Sequence, residues 1–191
     1  MFNDKAHSTD AVAAGLVAGT QTPIGAKAGG VFHVQCFDKD GALKWETTKH
    51  NLVVNEGLQE MNTQFFTGNT YTAALYLGLI TGPASGTSYS GTDTLASHSW
   101  TEFTDYSGSR KLVSFGSATS ADPSVISNSG SAAQFSISGT GGVVAGAFLC
   151  TVSSGTSGIL FSEADFQSPG DRTVVSGDTL NVTYTFSLDA V

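Results

Sequence analysis

The chain has 191 residues, which is enough for one domain with a hydrophobic core and short for two. Charged residues make up only 13% of it, and Gly (23), Ser (24) and Thr (23) fill the deficit, a mixture that disfavours helices and suits short strands joined by turns. The formal net charge is −8 with only 8 Lys plus Arg, so the sequence predicts no direct binding to nucleic acid or to an anionic membrane surface.

Residues 1–30 differ in composition from the rest. Ala and Gly dominate residues 11–30, where no aromatic residue occurs. Because such a segment has too little large apolar surface to form a core, we predict an extended N-terminal arm over residues 1–30 and a β-rich domain over residues 31–191. Small side chains permit close approach to a neighbouring protein, and the candidate contacts in the arm are Ala11, Ala14, Gly15, Gly19, Pro23 and Ile24. The alternative is that the arm packs along its own domain.

The first residues also bear on targeting. Residues 1–5 read MFNDK and lack a basic region followed by an apolar stretch, which is the pattern of a secretory signal. No apolar run approaches the ~20 residues that a membrane-spanning helix needs. We therefore expect the chain to be made in the cytoplasm and to remain soluble.

The clearest hairpin lies just after the arm. Residues 31–37 are rich in β-branched and aromatic residues, and residues 42–48 supply the partner strand. Between them, residues 38–41 read DKDG, which predicts a turn and also resembles the start of a calcium-binding loop. The twelfth position of such a loop needs a bidentate acid, and here it is Lys49, so the turn is the better interpretation.

Residues 56–66 form the predicted helix. Asn55 is the candidate N-cap, and Glu56 places a carboxylate near the positive end of the helix dipole. One apolar face is indicated by residues at spacings of three, seven and eight, namely Leu58, Met61, Phe65 and Phe66.

From residue 71 onward the chain reads as strands and turns. Residues 73–80 form a continuous apolar run, which predicts a central strand covered on both faces. Further strands are indicated at residues 111–115, 133–138, 143–152 and 181–188. The last of these alternates cleanly between a buried face and a face that is wet or contacts a neighbour. The predicted fold is mainly β: an antiparallel β-sandwich or barrel-like domain with one short α-helix and the extended arm.

Two cysteines, Cys36 and Cys150, lie in apolar strand-like runs. This placement favours buried free thiols that act as small hydrophobic side chains. A disulfide would need the two Cα atoms within about 7 Å, which the sequence leaves open. Two cysteines constitute neither a disulfide framework nor a zinc site.

The sequence contains no recognisable catalytic, metal-binding or phosphate-binding motif. The four histidines are scattered, no serine lies in a G-x-S-x-G motif, and the Gly-rich residues 139–142 are not followed by a helix carrying Lys. The carboxylate pairs Glu163/Asp165 and Asp171/Asp178 are interpreted as loop or cap residues, although acid–base work stays open for them. We predict a protein that is not an enzyme, with no catalytic or metal-binding residue and no cofactor.

Aromatic and ionisable residues crowd together only around His98. One interpretation is a polar loop that Trp100 anchors to the core. The other is a contact surface for a partner, because Trp and Tyr are favoured interface anchors. The candidate partner contacts within the domain are Tyr89, His98, Trp100 and Tyr106.

The order of elements resembles structural proteins of tailed bacteriophages, most closely those that decorate or cement the head. The resemblance spans roughly residues 31–191 and leaves the arm outside. The segments that carry it are NLVVNEGL (51–58), ALYLGLI (74–80), YSGTDTLASHSWTE (89–102), YSG (106–108) and VSGDTLNVTYT (175–185). No catalytic residues come with it, and it implies a virion component that contacts the major capsid protein and its own copies.

The expectation is therefore a non-enzymatic virion structural protein. It would bind the outer surface of the phage capsid and stabilise it as a homo-oligomer, with the arm contacting neighbouring subunits. One alternative is a tail or head–tail adaptor component of the virion. The other is a carbohydrate-binding β-sandwich module, in which Tyr89, Trp100 and Tyr106 stack on sugars.

Overall fold

The computed structural model describes residues 25–67, 74–81, 89–166 and 170–190. It is mainly β, with 51% of these residues in strands and 8% in helix, and the predicted fold class is confirmed. The elements in chain order are β1 (Ala26–Phe37), β2 (Leu43–His50), β3 (Leu52–Val53), α1 (Asn55–Phe66), β4 (Tyr76–Thr81), β5 (Thr101–Phe103), β6 (Lys111–Leu112), β7 (Ser124–Ser127), β8 (Ala133–Ser136), β9 (Gly141–Cys150), β10 (Leu160–Asp165), β11 (Arg172–Val175) and β12 (Thr179–Ala190).

The strands form two antiparallel sheets. The first sheet has the order β2-β1-β12-β7, and β8 also pairs with β12. The second sheet has the order β3-β10-β9-β4-β5, with β11 on β9 and β6 on β4. The predicted hairpin over residues 31–48 is confirmed as β1 and β2, and the Asp38 carboxylate closes its turn by accepting the N–H groups of Asp40 and Ala42.

The main core lies between the two sheets. Alternate residues of β1 and β12 point into it, because successive side chains of a strand face opposite ways. The fully buried side chains of the first sheet include Phe32, Val34, Cys36, Leu180, Val182 and Tyr184. They meet Leu77, Leu79, Ala147 and Leu149 of the second sheet. Burying each large apolar side chain contributes about 1.5–3 kcal/mol, so this layer dominates the stability of the fold.

The other face of the second sheet is also covered. Ile80 of β4, Phe148 and Cys150 of β9, and Leu160 of β10 form a second buried cluster with Val54, Leu95 and Trp100. The prediction that residues 73–80 supply a strand covered on both faces is confirmed, since β4 has four consecutive buried residues. The loop over residues 89–100 is therefore a third layer on this sheet.

The structure moves the boundary between the predicted arm and the domain. Strand β1 begins at Ala26, so residues 26–30, assigned to the arm from composition, belong to the first sheet. They pair with residues 186–190 of β12, which extends the ladder to twelve consecutive pairs. These residues have no large apolar side chain, so hydrophobic periodicity could not indicate a strand whose hydrogen bonds come from the backbone.

Helix α1 ends at the predicted residue but begins one residue earlier than predicted, so its N-cap was assigned wrongly. Of the predicted apolar face, only Met61 packs against the core. Val54 occupies the N-cap position without a side-chain hydrogen bond, and Asn55 is the first helical residue. The helix packs through Gly57, where a Cβ would clash with the backbone carbonyl of Phe161. This close approach turns Phe65 and Phe66 outward, and they are 81% and 76% exposed.

Candidate functional site

The loop over residues 89–100 is held on the second sheet by two apolar anchors. Leu95 and Trp100 are buried in the second core cluster. The Trp100 ring packs against the ring of Phe148 at 4.7 Å, and His98 stacks on Trp100 at 3.5 Å with the planes 7° apart. The His98 ring Nδ1 also donates to the Trp100 carbonyl at 2.9 Å, which fixes the stack.

The polar end of Trp100 meets a buried carboxylate. Its indole Nε1 donates to Oε2 of Glu163 on β10 at 2.6 Å. Glu163 is fully buried, and its other oxygen, Oε1, has no hydrogen-bond partner. Burial raises the pKa of Glu163 to about 7, the Trp100 hydrogen bond opposes that shift, and the neighbouring Asp93 carboxylate adds to it. Glu163 is therefore a carboxyl group that exchanges its proton near neutral pH.

Tyr89 closes the site from the other side. Its hydroxyl lies against Gly146 of β9 and has no hydrogen-bond partner. Burial raises the pKa of the Tyr89 hydroxyl, and the negative charges of Asp165, Glu163 and Asp171 raise it further. The phenol therefore stays protonated at physiological pH.

Helix α1 pins the same loop through its first turn. Oε2 of Glu56 accepts the backbone N–H of Leu160 at 2.8 Å and that of Leu95 at 3.4 Å. The backbone N–H of Asn55 donates to the carbonyl of Gly91 at 2.7 Å. Loop, helix and β10 are thus joined by hydrogen bonds as well as by apolar contact.

A second ionisable group flanks this cluster. The Arg110 guanidinium makes a bidentate pair with Glu102, at 2.8 and 2.7 Å, and lies 5.0 Å from the centre of the Phe148 ring. It also donates to the carbonyl of Val152 and to the sulfur of Cys150. Such a bidentate buried pair fixes the chain around residue 110 to β5 and β9.

Both cysteines are free and buried, as the sequence predicts. Burial, with Asp178 next in effect, raises the pKa of Cys36 to about 11. Burial also raises the pKa of Cys150. Because the thiolate is the nucleophile, neither sulfur is activated at neutral pH.

The structure corrects two of the predicted contacts. Trp100 and Tyr106 are buried, at 5% and 6% exposure, so their rings are core anchors and are not open to a partner. Tyr106 packs edge-on against Phe135 at 4.8 Å. The correction follows from apolar area: a large ring gains more by filling a core than by lying on the surface. Tyr89 and His98 stay half-buried at the rim of the loop.

The structure does not describe the predicted contacts of the arm. Ala11, Ala14, Gly15, Gly19, Pro23 and Ile24 lie outside the described residues. Among the predicted contacts that the structure describes, His98 and Trp100 stack on each other, Tyr89 packs against the cluster that contains Trp100, and Tyr106 belongs to the main core.

Sequence reasoning missed Glu163 as the centre of this cluster. It read the residue as part of a loop or cap, because the polar residues at 162, 163 and 165 disguise strand β10. The usable signal was Trp100 itself, since a buried indole N–H needs an acceptor.

The arrangement buries a carboxyl group beneath Trp100 and fixes a loop. Among the residues that the structure describes, no three His, Cys, Asp or Glu side chains converge to hold a metal ion. Within the same ranges, no helix combines the length and the apolar composition needed to cross a membrane. No family model, curated protein or solved structure matches the chain.

Proposed function

We propose that this chain is a non-enzymatic structural protein of a tailed-phage virion, which binds the outer surface of the capsid and stabilises it as a decoration protein. The observation that carries the proposal is how the N-terminal segment joins the domain. Gly25 leads directly into β1, which lies between β2 and β12 and forms twelve consecutive pairs with β12. A force applied to the N-terminal end of β1 is opposed by backbone hydrogen bonds to β12 and β2. Strand β1 is therefore suited to anchor the N-terminal arm, here called the tether, when the arm is attached to a neighbouring protein.

The outward face of the first sheet supports packing against other protein copies. Its strands are linked by polar cross-strand pairs: Gln35 donates to Glu46 at 3.2 Å, and Gln134 donates to Asn181 at 3.3 Å. This surface carries mainly amides and hydroxyls, and its Glu46 carboxylate already accepts a hydrogen bond from Gln35, so covering it does not bury a carboxylate without a hydrogen-bond donor. Repeated by symmetry, small interfaces of this kind add up to stable attachment.

The burial of Trp100 and Tyr106 removes two of the three rings on which the carbohydrate-binding alternative depends. A sugar needs an open ring face to stack on. The tail or head–tail adaptor alternative shares the tether and the polar sheet face, so its separation from a capsid role depends on position in the particle.

The tether is tested by removing residues 1–24, which leaves β1 intact. We expect the truncated chain to unfold at the same denaturant concentration as the full chain. We expect its binding to capsids that lack the protein to weaken at least about tenfold, because one of the linked contacts is lost. Equal binding by the two chains would contradict the proposal.

A matched control replaces residues 1–24 by a Gly/Ser segment of the same length. If the side chains of the arm make the contact, this chain binds as weakly as the truncated one. Full binding by the control would show that length alone suffices, and the proposed contact through the arm residues would be wrong.

A further inference from the structure

Strand β2 is the outermost strand of the first sheet. It pairs with β1 along one edge, and among the described residues no strand pairs with its other edge. Residues 45–50 face β1 in regular register, and the strand contains no proline. Because an open strand edge presents backbone N–H and C=O groups, it is a ready place for a strand of another chain to pair.

The backbone groups that β2 directs to its open edge follow from one hydrogen bond. The N–H of Asn51 donates to the carbonyl of Gly30 at 2.9 Å, which marks these opposite residues as a hydrogen-bonded pair. Such pairs alternate with non-hydrogen-bonded pairs along an antiparallel ladder. The odd-numbered residues 45–49 therefore direct their backbone groups to β1. The residues that direct theirs to the open edge are Glu46, Thr48 and His50.

The charged side chains on this part of β2 are engaged by their own chain. Charged side chains commonly guard the open edges of sheets in monomeric proteins. Lys44 Nζ donates to the Asp178 carboxylate at 2.5 Å. The Glu46 carboxylate accepts a hydrogen bond from Gln35 at 3.2 Å and lies 3.5 Å from His33 Nε2. These contacts direct both charges to neighbours within the sandwich, which leaves the edge approachable.

Two N–H groups beside the open edge have no acceptor among the described residues. They are the indole Nε1 of Trp45 on β2 and the Nε of Arg172 on β11, and both atoms are buried. The guanidinium of Arg172 lies 5.8 Å from the centre of the Trp45 ring, so the two donors belong to one cluster. Buried donors are unfavourable until an acceptor is supplied, and a second chain along this edge can supply one.

We propose that β2 is a dimerisation strand, which pairs antiparallel with β2 of a second copy across a twofold axis centred on Thr47. Glu46 of each copy then exchanges backbone hydrogen bonds with Thr48 of the other, and the first sheet continues through the dimer. The pairing goes beyond the proposed capsid role and does not depend on it.

Charge and length select the register centred on Thr47. A centre at Glu46 would place that carboxylate opposite its own copy, and like charges directly opposite each other are destabilising. A centre at Thr48 would leave Trp45 outside the paired residues. With the centre at Thr47, Trp45 lies opposite Lys49 on the inner face. The Thr47 hydroxyl of the second copy is then diagonal to Trp45, within reach of an aromatic side chain.

The first test is self-association of the intact chain. Because the pairing is short, sedimentation equilibrium between about 10 µM and 1 mM should show the mass rising from one chain toward two. Over the same range the Thr48 amide should exchange with solvent at least about fivefold more slowly. The Thr47 amide, which already bonds to β1, should not change. One chain throughout, or a dimer with unchanged Thr48 exchange, would overturn the proposal.

Cysteine cross-linking tests the register. In the proposed pairing, residue 47 lies opposite itself at a non-hydrogen-bonded position, where Cα atoms are about 4.5 Å apart, within the range of a disulfide. Thr47→Cys should therefore form a cross-linked dimer on oxidation. Thr48→Cys is the matched control, because residue 48 lies opposite Glu46 and should stay uncross-linked. The wild-type chain measures the background from its two buried cysteines. Cross-linking of Thr48→Cys but not Thr47→Cys would overturn the register.

A backbone variant tests the hydrogen bonds themselves. Thr48→Pro removes an N–H that points to the open edge, so it should abolish the dimer at about 1 mM while β1 keeps its pairs. Thr48→Val keeps the N–H and should dimerise like the wild-type chain. Equal association of the two variants would contradict the pairing. If Thr48→Pro does not fold, the two cysteine variants still decide.

Discussion

The hydroxyl oxygen of Tyr184 lies 2.6 Å from the position that a Cβ on Gly30 would occupy. Tyr184 is fully buried in the first sheet, and its hydroxyl accepts hydrogen bonds from Asn51 and from Ser162 of β10 in the second sheet. The missing side chain at position 30 therefore makes room for a ring that joins both sheets. This contact sits where the proposed tether enters the core.

We predict that Gly30→Ala lowers the free energy of unfolding by about 1–3 kcal/mol, because the added Cβ displaces Tyr184 or the backbone of β12. Gly29→Ala is the matched control, since nothing lies within 4 Å of a Cβ there. Both substitutions restrict the unfolded chain equally, so their difference isolates the clash. Denaturant unfolding measures it, and equal midpoints for the two variants would contradict the account.

At Gly57 of helix α1, helix propensity favours alanine whereas packing favours glycine. Alanine is favoured over glycine in a helix by about 1 kcal/mol. At Gly57 the added Cβ would meet the Phe161 backbone, which cannot move without disturbing β10. We therefore expect Gly57→Ala to destabilise the protein, whereas Asn62→Ala on the exposed face should be neutral or stabilising. A more stable Gly57→Ala protein, in thermal or denaturant unfolding, would show that the close approach is absent.

We predict that the ion pair of Arg110 and Glu102 contributes to the free energy of unfolding, whereas the ion pair of Lys39 and Asp40 does not. Side-chain exposure is 4% and 24% in the first pair and 74% and 72% in the second. Arg110→Met leaves Glu102 without its bidentate partner and should cost about 3 kcal/mol. Lys39→Met should cause no measurable change. A double-mutant cycle with Glu102→Gln should give a coupling of at least about 0.5 kcal/mol, and zero coupling would contradict the assigned geometry.

The pH dependence of stability follows from Glu163. Its pKa is about 7 in the folded chain and near 4.5 in the unfolded chain, so the folded state binds the extra proton between these values. This group's contribution is therefore fully present below pH 4.5 and is lost as the pH rises through 7. Between pH 5 and 8 we expect the wild-type free energy of unfolding to fall by about 2 kcal/mol more than that of Glu163→Gln. Parallel pH profiles of the free energy of unfolding for the wild-type chain and Glu163→Gln would contradict the raised pKa of Glu163.

Alternation and turn chemistry predicted the sandwich well. The β1–β2 hairpin, the doubly covered β4 and the inward Val182 and Tyr184 of β12 follow from hydrophobic periodicity, which reports the burial of side chains. Leu188, which the same periodicity places on the buried face, is 40% exposed. Periodicity failed where backbone contacts decide the structure. Residues 26–30 have no large apolar side chain, and the packed face of α1 is set by the close approach at Gly57.

The candidate site was predictable only in outline. Trp100 was recognised as a possible core anchor, but its partner Glu163 comes from a strand 63 residues away. A buried polar pair of this kind depends on strand order, which one sequence does not encode in any local pattern.

The proposed structural role on the capsid is tested most directly by the position of the protein in purified virions. Antibody-labelled electron microscopy locates the chain, and quantitative mass spectrometry gives its copy number relative to the major capsid protein. We predict many copies at symmetry-related positions on the outer surface of the head. Labelling confined to the tail or neck, or the absence of the chain from intact particles, would contradict the account.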